Sequence, residues 1–168
     1  MIRKAVSADI MNVMKIIEET IVEMHSYGNT QWDEHYPQEK DFLHDMQRGD
    51  LYLSEREEKI VGFACINTIE SAEYNSLPWS LQETAMILHR MAVAPARRRS
   101  GVGLELMNFA EERALENNMR YLKTDTYSIN IKMNALFVKC GYQRIGEMKF
   151  PSKEKPFYCY EKVLRRVR

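Results

Sequence analysis

The chain has 168 residues, the size of one ordinary domain spanning 1–168, and a domain of that length can bury about two thirds of its unfolded surface. Its 24 basic and 24 acidic side chains balance to a formal net charge of +0, which argues against a dedicated nucleic-acid binder and against a polybasic membrane anchor. No run approaches the about 18 consecutive apolar residues of a membrane helix, and the opening residues MIRKAVSADI lack the apolar centre of a signal peptide, so a cytoplasmic protein is expected.

Residues 2–6 read as a short strand. Ser7 and Asp9 are cap candidates for a helix with Ile10, Val13, Met14, Ile17, Ile21 and Met24 on one face, ending at Gly28. Residues 29–37, NTQWDEHYP, have neither period and read as a loop. A shorter helix covers 38–47, with Phe42, Leu43 and Met46 inward and Gly49 as its stop signal. Residues 51–55 and 59–68 are strands joined by the charged turn Arg56, Glu57, Glu58. Gly62 in the second marks a place where a side chain is costly or a backbone comes close. Residues 70–82 are irregular.

Residues 85–93 are apolar, interrupted only by His89 and Arg90, as in a mostly buried strand that Pro95 ends. A helix then runs from near Gly101 to about Asn117, with Val102, Leu106, Phe109, Ala110 and Ala114 on one face. Residues 121–126 form a strand, 130–140 a helix with Ile131, Ala135, Leu136 and Val138 apolar and Gly141 as its cap, and 142–148 and 157–164 the last two strands. The order describes an α/β sandwich around a mixed sheet. Cys65, Cys140 and Cys159 have neither metal-ligand nor redox spacing and read as reduced, buried thiols, and no metal is expected.

The stretch 91–112, MAVAPARRRSGVGLELMNFAEE, carries the chemistry. Between a strand end and a helix start lie Arg97, Arg98, Arg99, Ser100, Gly101, Val102 and Gly103. Glycines there let the backbone approach a ligand and aim free N–H groups at it, and the helix dipole favours an anion, so a phosphate suits the site. A P-loop is excluded, because Val102, Gly103 and Leu104 stand where its Lys and Ser or Thr belong. The dinucleotide fingerprint is absent too.

Val93, Arg98, Gly101 and Gly103 fit Val-x(4)-Arg/Gln-x-x-Gly-x-Gly/Ala, which resembles the pyrophosphate loop of the GNAT superfamily of acetyl-CoA-dependent N-acetyltransferases. Asn130, Met133, Leu136, Phe137, Lys139, Gly141 and Tyr142 resemble a second segment of that family, Asn-x-x-Ala-x-x-Leu-Tyr-x-Lys-x-Gly-Phe. The resemblance spans essentially the whole chain. It implies a single-domain fold with a mixed, mostly antiparallel sheet flanked by helices on both faces.

It further implies that acetyl-CoA is the co-substrate, with the strand backbone of Met91, Ala92 and Val93 pairing with the pantetheine arm and offering an N–H to the thioester oxygen. Arg98, Arg99, Ser100, Gly101, Val102 and Gly103 would hold the diphosphate, and Asn130 and Phe137 would line the arm. Where many members carry a tyrosine thought to protonate the departing thiolate, this chain has Phe137, which has no proton to give. Tyr127 and Tyr142 flank the same helix as substitutes.

An alkylammonium must lose a proton before it attacks, and His89 resembles a histidine placed for that in arylalkylamine acetyltransferases. A packed strand histidine is the equal alternative, and strand alternation puts His89, Met91 and Val93 on one face. Trp32, Tyr36 and Trp79, on loops that in this fold line the acceptor side, suit a cationic amine if they do more than pack those loops down. The expected activity is direct acetyl transfer to a primary amine of a small molecule or amino acid, with neither nucleic acid nor membrane as partner. A protein or peptide acceptor, or a non-catalytic acyl-CoA sensor, remains the alternative. Homodimers are common among relatives, and no stretch here specifies one.

Overall fold

The computed structural model describes residues 1–165. In chain order its elements are β1 (Ile2–Lys4), α1 (Ile10–Ser26), α2 (Glu39–Gln47), β2 (Leu51–Arg56), β3 (Lys59–Asn67), β4 (Met86–Val93), α3 (Val102–Glu116), β5 (Tyr121–Tyr127), α4 (Ile131–Lys139), β6 (Gln143–Met148) and β7 (Phe157–Val163). This is the order the sequence predicts. Short 3-10 helices are added at Ser7–Asp9, Ala72–Ser76 and Pro95–Arg97. The seven strands run β1-β2-β3-β4-β5-β7-β6 across the sheet. The β1–β2, β2–β3, β5–β7 and β6–β7 pairs are antiparallel, whereas β4 and β5 are parallel, so the class is mixed and mostly antiparallel.

Contacts group the chain into two compact units, residues 1–66 with 89–106 and residues 67–88 with 107 onward. In the first, α1 buries Ile10, Val13, Ile17 and Met24, the three- and four-residue spacing expected of one apolar face. They join Phe42 of α2 and Leu51, Leu53 and Phe63 of the sheet in one core, where Phe42 and Phe63 meet edge-on at 5.2 Å. Asp9 does not cap α1 as expected. Its carboxylate accepts the Val6 amide at 2.8 Å and two bonds from Arg3, pinning the chain as it leaves β1.

Gly62 behaves as the sequence suggests. A Cβ on it would lie 3.0 Å from the Ala92 carbonyl and 3.0 Å from Val102 Cγ1, so its bare backbone lets β4 and the first residue of α3 come close.

In the second unit, Tyr74, Ile87, Tyr121, Tyr127, Phe157 and Cys159 form a second core. The β4–β5 pairing places Met86, Ile87 and Leu88 beside Leu122, Lys123 and Thr124, and Thr124 Oγ1 donates to the Leu88 carbonyl at 2.9 Å. The inward face of α4 is not carried by the apolar positions read from sequence. Phe137 and Cys140 are buried, while Ile131 and Val138 are 66% and 62% exposed. A nine-residue helix with apolar residues all round has no phase of its own, and packing chooses one.

Candidate functional site

The loop after β4 is built by local rules. Pro95 opens the 3-10 helix, whose last residue Arg97 donates its amide to the Ala94 carbonyl at 2.8 Å. Arg99 and Gly101 then adopt φ of 60° and 85° and swing the chain into α3, whose ladder begins where Glu105 donates to the Gly101 carbonyl at 2.9 Å. Space is open around Gly101, with nothing beyond its chain neighbours within 4 Å of where a methyl would sit, so glycine is favoured there by the left-handed backbone alone. The amides of Val102, Gly103 and Leu104 have no carbonyl one turn back to accept them. They point out of the positive end of the helix dipole.

The three arginines have separate fates. Arg98 pairs with Glu23 of α1 at 2.8 Å and is thereby a tether for the loop. Arg97 faces Glu57 at 3.6 Å on the surface. Arg99 is exposed and, among the described residues, has no carboxylate partner, which leaves its charge for an anion at the helix start.

In β4, Met91, Ala92 and Val93 are buried and His89 is half-buried. Arg90 between them has φ of 22°, outside the extended region, so counting by twos cannot relate the side of His89 to that of Met91 and Val93. That conformation is held from outside the strand. Arg90 Nε and Nη2 make a bidentate pair with Asp45 of α2 at 2.7 and 2.5 Å, and Nη1 donates to the Tyr36 hydroxyl at 2.9 Å. Neither Arg90 nor Asp45 is signalled by any sequence motif.

In the second unit, Asn130 is the cap of α4, its Oδ1 accepting the Met133 amide at 3.1 Å. Phe137 is buried between two tyrosines, with ring centroids 5.2 Å from Tyr160 and 6.0 Å from Tyr142. The Tyr160 hydroxyl donates to Asn134 at 2.5 Å, and burial pushes Tyr142 well above the ordinary tyrosine range. Tyr127 stacks on Phe157 at 5.0 Å and its hydroxyl accepts the Lys155 amide at 3.0 Å, so its oxygen is already used in tying down the β6–β7 connection.

The three aromatic residues expected to face an acceptor differ in setting. Trp32 is 5% exposed and sits in the first core, its carbonyl bonded by His25, so it packs its loop down. Tyr36 is 42% exposed and bridges to Arg90. Trp79 donates to the Tyr74 carbonyl at 2.8 Å, and its ring face carries the ammonium of Lys123 at 4.5 Å. The cation that Trp79 suits is thus supplied by the chain itself. Next to it, Tyr74 donates its hydroxyl to Asp125 at 2.6 Å, and burial pushes that carboxyl up to about 6.

Each free cysteine is buried, and burial raises Cys65 and Cys159 to about 12 and Cys140 above its ordinary value. Among the described residues no three His, Cys, Asp or Glu side chains converge as a metal-binding set, and no helix is long and apolar enough to cross a membrane.

No curated protein matches the sequence. Among solved structures, a GNAT-family acetyltransferase from Streptococcus agalactiae superposes with a TM-score of 0.88 at 22% identity, over 99% of this chain and 96% of that one. One from Listeria monocytogenes gives 0.76 at 24%, over 98% and 94%. The ribosomal-protein-alanine N-acetyltransferase of Brucella melitensis gives 0.71 at 21%, over 98% and 99%. These likenesses establish the fold. The profile of the Acetyltransferase (GNAT) family matches residues 16–142, most of the chain and both of its signature segments, and the protein therefore belongs to that family.

Proposed function

We propose that this chain is an acetyl-CoA-dependent N-acetyltransferase that transfers the acetyl group directly to a primary amine of a small molecule or amino acid in the cytoplasm. The observation that carries this is the start of α3, where a left-handed Gly101, the open amides of Val102 and Gly103 and the exposed Arg99 make a cradle fitted to a diphosphate. When bound, acetyl-CoA supplies an activated acyl carbon. The backbone of Met91 to Val93 orients the pantetheine arm and offers an N–H to the thioester oxygen, a donor worth about 3 kcal/mol in a dry site. His89 takes one proton from the acceptor ammonium, the freed amine bonds to the acyl carbon, and as the carbon–sulfur bond breaks the second nitrogen proton passes to the departing thiolate or to solvent.

Direct transfer is favoured over an acyl-cysteine route because every thiol is buried and held in its protonated form at neutral pH. With Phe137 in place of a tyrosine and the Tyr127 oxygen engaged by the Lys155 amide, the thiolate leaves without a tyrosine donor. A thiol of pKa about 8.5 is a fair leaving group near pH 7.

Two other readings have specific support. The Brucella relative named for a ribosomal-protein alanine favours a peptide acceptor. The phenyl ring at 137 favours an acyl-CoA sensor without turnover. Calorimetry with coenzyme A, followed by thiol release from acetyl-CoA over amines and N-terminal alanine peptides, separates them. No affinity for coenzyme A overturns all three readings, whereas tight binding with no turnover on any acceptor leaves the sensor.

A further inference from the structure

Among the described residues, Glu57, Glu58, Arg90, Arg99 and Asn118 have positive φ without being glycine. Glu57, Glu58, Arg99 and Asn118 lie in turns, where a left-handed backbone is ordinary, and Arg90 lies inside a strand at φ of 22°. A long side chain in that region is strained. Such a conformation persists where its surroundings impose it.

Each of the three guanidinium nitrogens of Arg90 is bonded. Nε and Nη2 reach the two oxygens of Asp45 at 2.7 and 2.5 Å, and Nη1 reaches the Tyr36 hydroxyl at 2.9 Å. Both partners are themselves held. Asp45 is 4% exposed on α2, which the fully buried Phe42, three residues earlier, seats in the first core. Tyr36 is presented by a turn closed on itself: Asp33 Oδ1 accepts the His35 and Tyr36 amides at 2.8 and 3.2 Å, and the Asp33 amide donates to the Tyr36 carbonyl at 2.9 Å. A buried ion pair adds little stability over apolar packing of the same volume. What packing alone does not supply is a directed pull that keeps one strand residue out of the extended region.

We infer that Asp45 and Tyr36, acting through Arg90, are positioning residues for acetyl transfer: they hold the break in β4 that aims the backbone of Met91 to Val93 at the thioester. This rests on the acetyltransferase reading above and adds what sets its rate. The link from clamp to strand is covalent, because the dihedrals of Arg90 orient the peptide plane that carries the Met91 N–H. An oxyanion donor acts only if it is already aimed when charge develops, and a misplacement of about 1 Å costs on the order of 100-fold in rate. The clamp, the strand segment and the amides that open α3 all belong to the first compact unit. The diphosphate cradle is a separate part of that unit, so coenzyme affinity and transfer rate are expected to come apart.

The test compares wild type with Tyr36→Phe, Arg90→Lys, Arg90→Gly and Leu53→Ala. Lysine keeps the charge and loses the fork, whereas glycine takes a positive φ freely and has nothing to hold it there. Leu53, fully buried in the same core, controls for lost stability alone. Thiol release at saturating acetyl-CoA and amine gives kcat, calorimetry gives the Kd of coenzyme A, and urea unfolding gives the folded fraction. Per folded molecule, kcat is expected to fall about 10- to 100-fold in both Arg90 variants and about 3- to 10-fold in Tyr36→Phe, with Kd changed by less than about twofold. Leu53→Ala is expected to lower the urea midpoint and keep kcat.

Amide NMR supplies a reading that needs no turnover. The shift difference between acetyl-CoA and coenzyme A at Met91 to Val93 is expected to shrink in Arg90→Gly, while the Val102 and Gly103 amides respond as in wild type. The inference is overturned if kcat of Tyr36→Phe or of a folded Arg90 variant equals wild type, or if Kd and kcat worsen equally. It is also overturned if Leu53→Ala loses as much kcat, or if, with no turnover in any protein, the acetyl-dependent shifts match in wild type and Arg90→Gly. Those results leave coenzyme binding by wild type intact. Its absence overturns the acetyltransferase reading instead.

Discussion

The Arg98 guanidinium lies 2.8 Å from the Glu23 carboxylate, so the arginine that its motif associates with phosphate is engaged in fastening the loop to α1. Arg99 is the neighbour left facing solvent. The two should therefore respond differently to salt. Arg99→Ala is expected to weaken coenzyme A about 3- to 10-fold at low ionic strength, an effect that fades by about 0.5 M salt. Arg98→Gln should lower unfolding free energy by about 1 kcal/mol and weaken the coenzyme by an amount that salt does not change. Calorimetry at two salt concentrations checks both, and equal salt dependence would count against the division.

Gly101 separates backbone conformation from space. With φ of 85° and open surroundings, Gly101→Ala loses stability only through the left-handed backbone, about 1–2 kcal/mol. Gly101→Asn, a residue that tolerates that region, should lose less. Coenzyme affinity should fall in the same order, measured beside urea unfolding.

Gly62 presents the opposite case. A methyl there meets the Ala92 carbonyl, which cannot move without displacing β4, and Val102 at the start of α3. Gly62→Ala is expected to destabilise by about 1–3 kcal/mol and to weaken coenzyme A although residue 62 lies outside the loop. An unchanged urea midpoint would show that the close approach is slack.

The Arg90–Asp45 pair joins the irregular point of β4 to α2, with side chains 20% and 5% exposed. Breaking it from one side leaves a buried charge alone, so Asp45→Asn and Arg90→Met should each destabilise by about 3–5 kcal/mol. The double variant Asp45→Asn with Arg90→Met should lose less than the sum of the two single losses. Urea titration of the four proteins gives the coupling.

Acid stability should draw on Asp9. Its carboxyl is held below the ordinary 3.8, chiefly by the Arg3 hydrogen bonds. A depressed folded value means the contribution is fully present above that unfolded value and disappears as pH falls through the folded one. Asp9→Asn should thus lower stability at pH 7 and flatten its decline below about pH 4. A parallel decline in both proteins would remove Asp9 from the account.

Sequence alone determined the element order, the glycine turn at Gly101 and the close approach at Gly62. Each depends on residues near in the chain: apolar period, proline and glycine backbone limits, and charge in turns. It also placed the two family segments, because loop and helix-cap geometry is local.

What tertiary structure decided is which partner each polar or aromatic group meets. From sequence Trp32, Tyr36 and Trp79 are alike, yet one is core, one rests on Arg90 and one holds Lys123. Arg98 and Arg99 are adjacent and chemically identical, and only the fold brings Glu23 to the first. Asp125 looks like any strand aspartate until Tyr74 closes on it. Ion pairs and ring contacts form between residues tens of positions apart, and their strength depends on distance and burial, neither of which a linear pattern encodes.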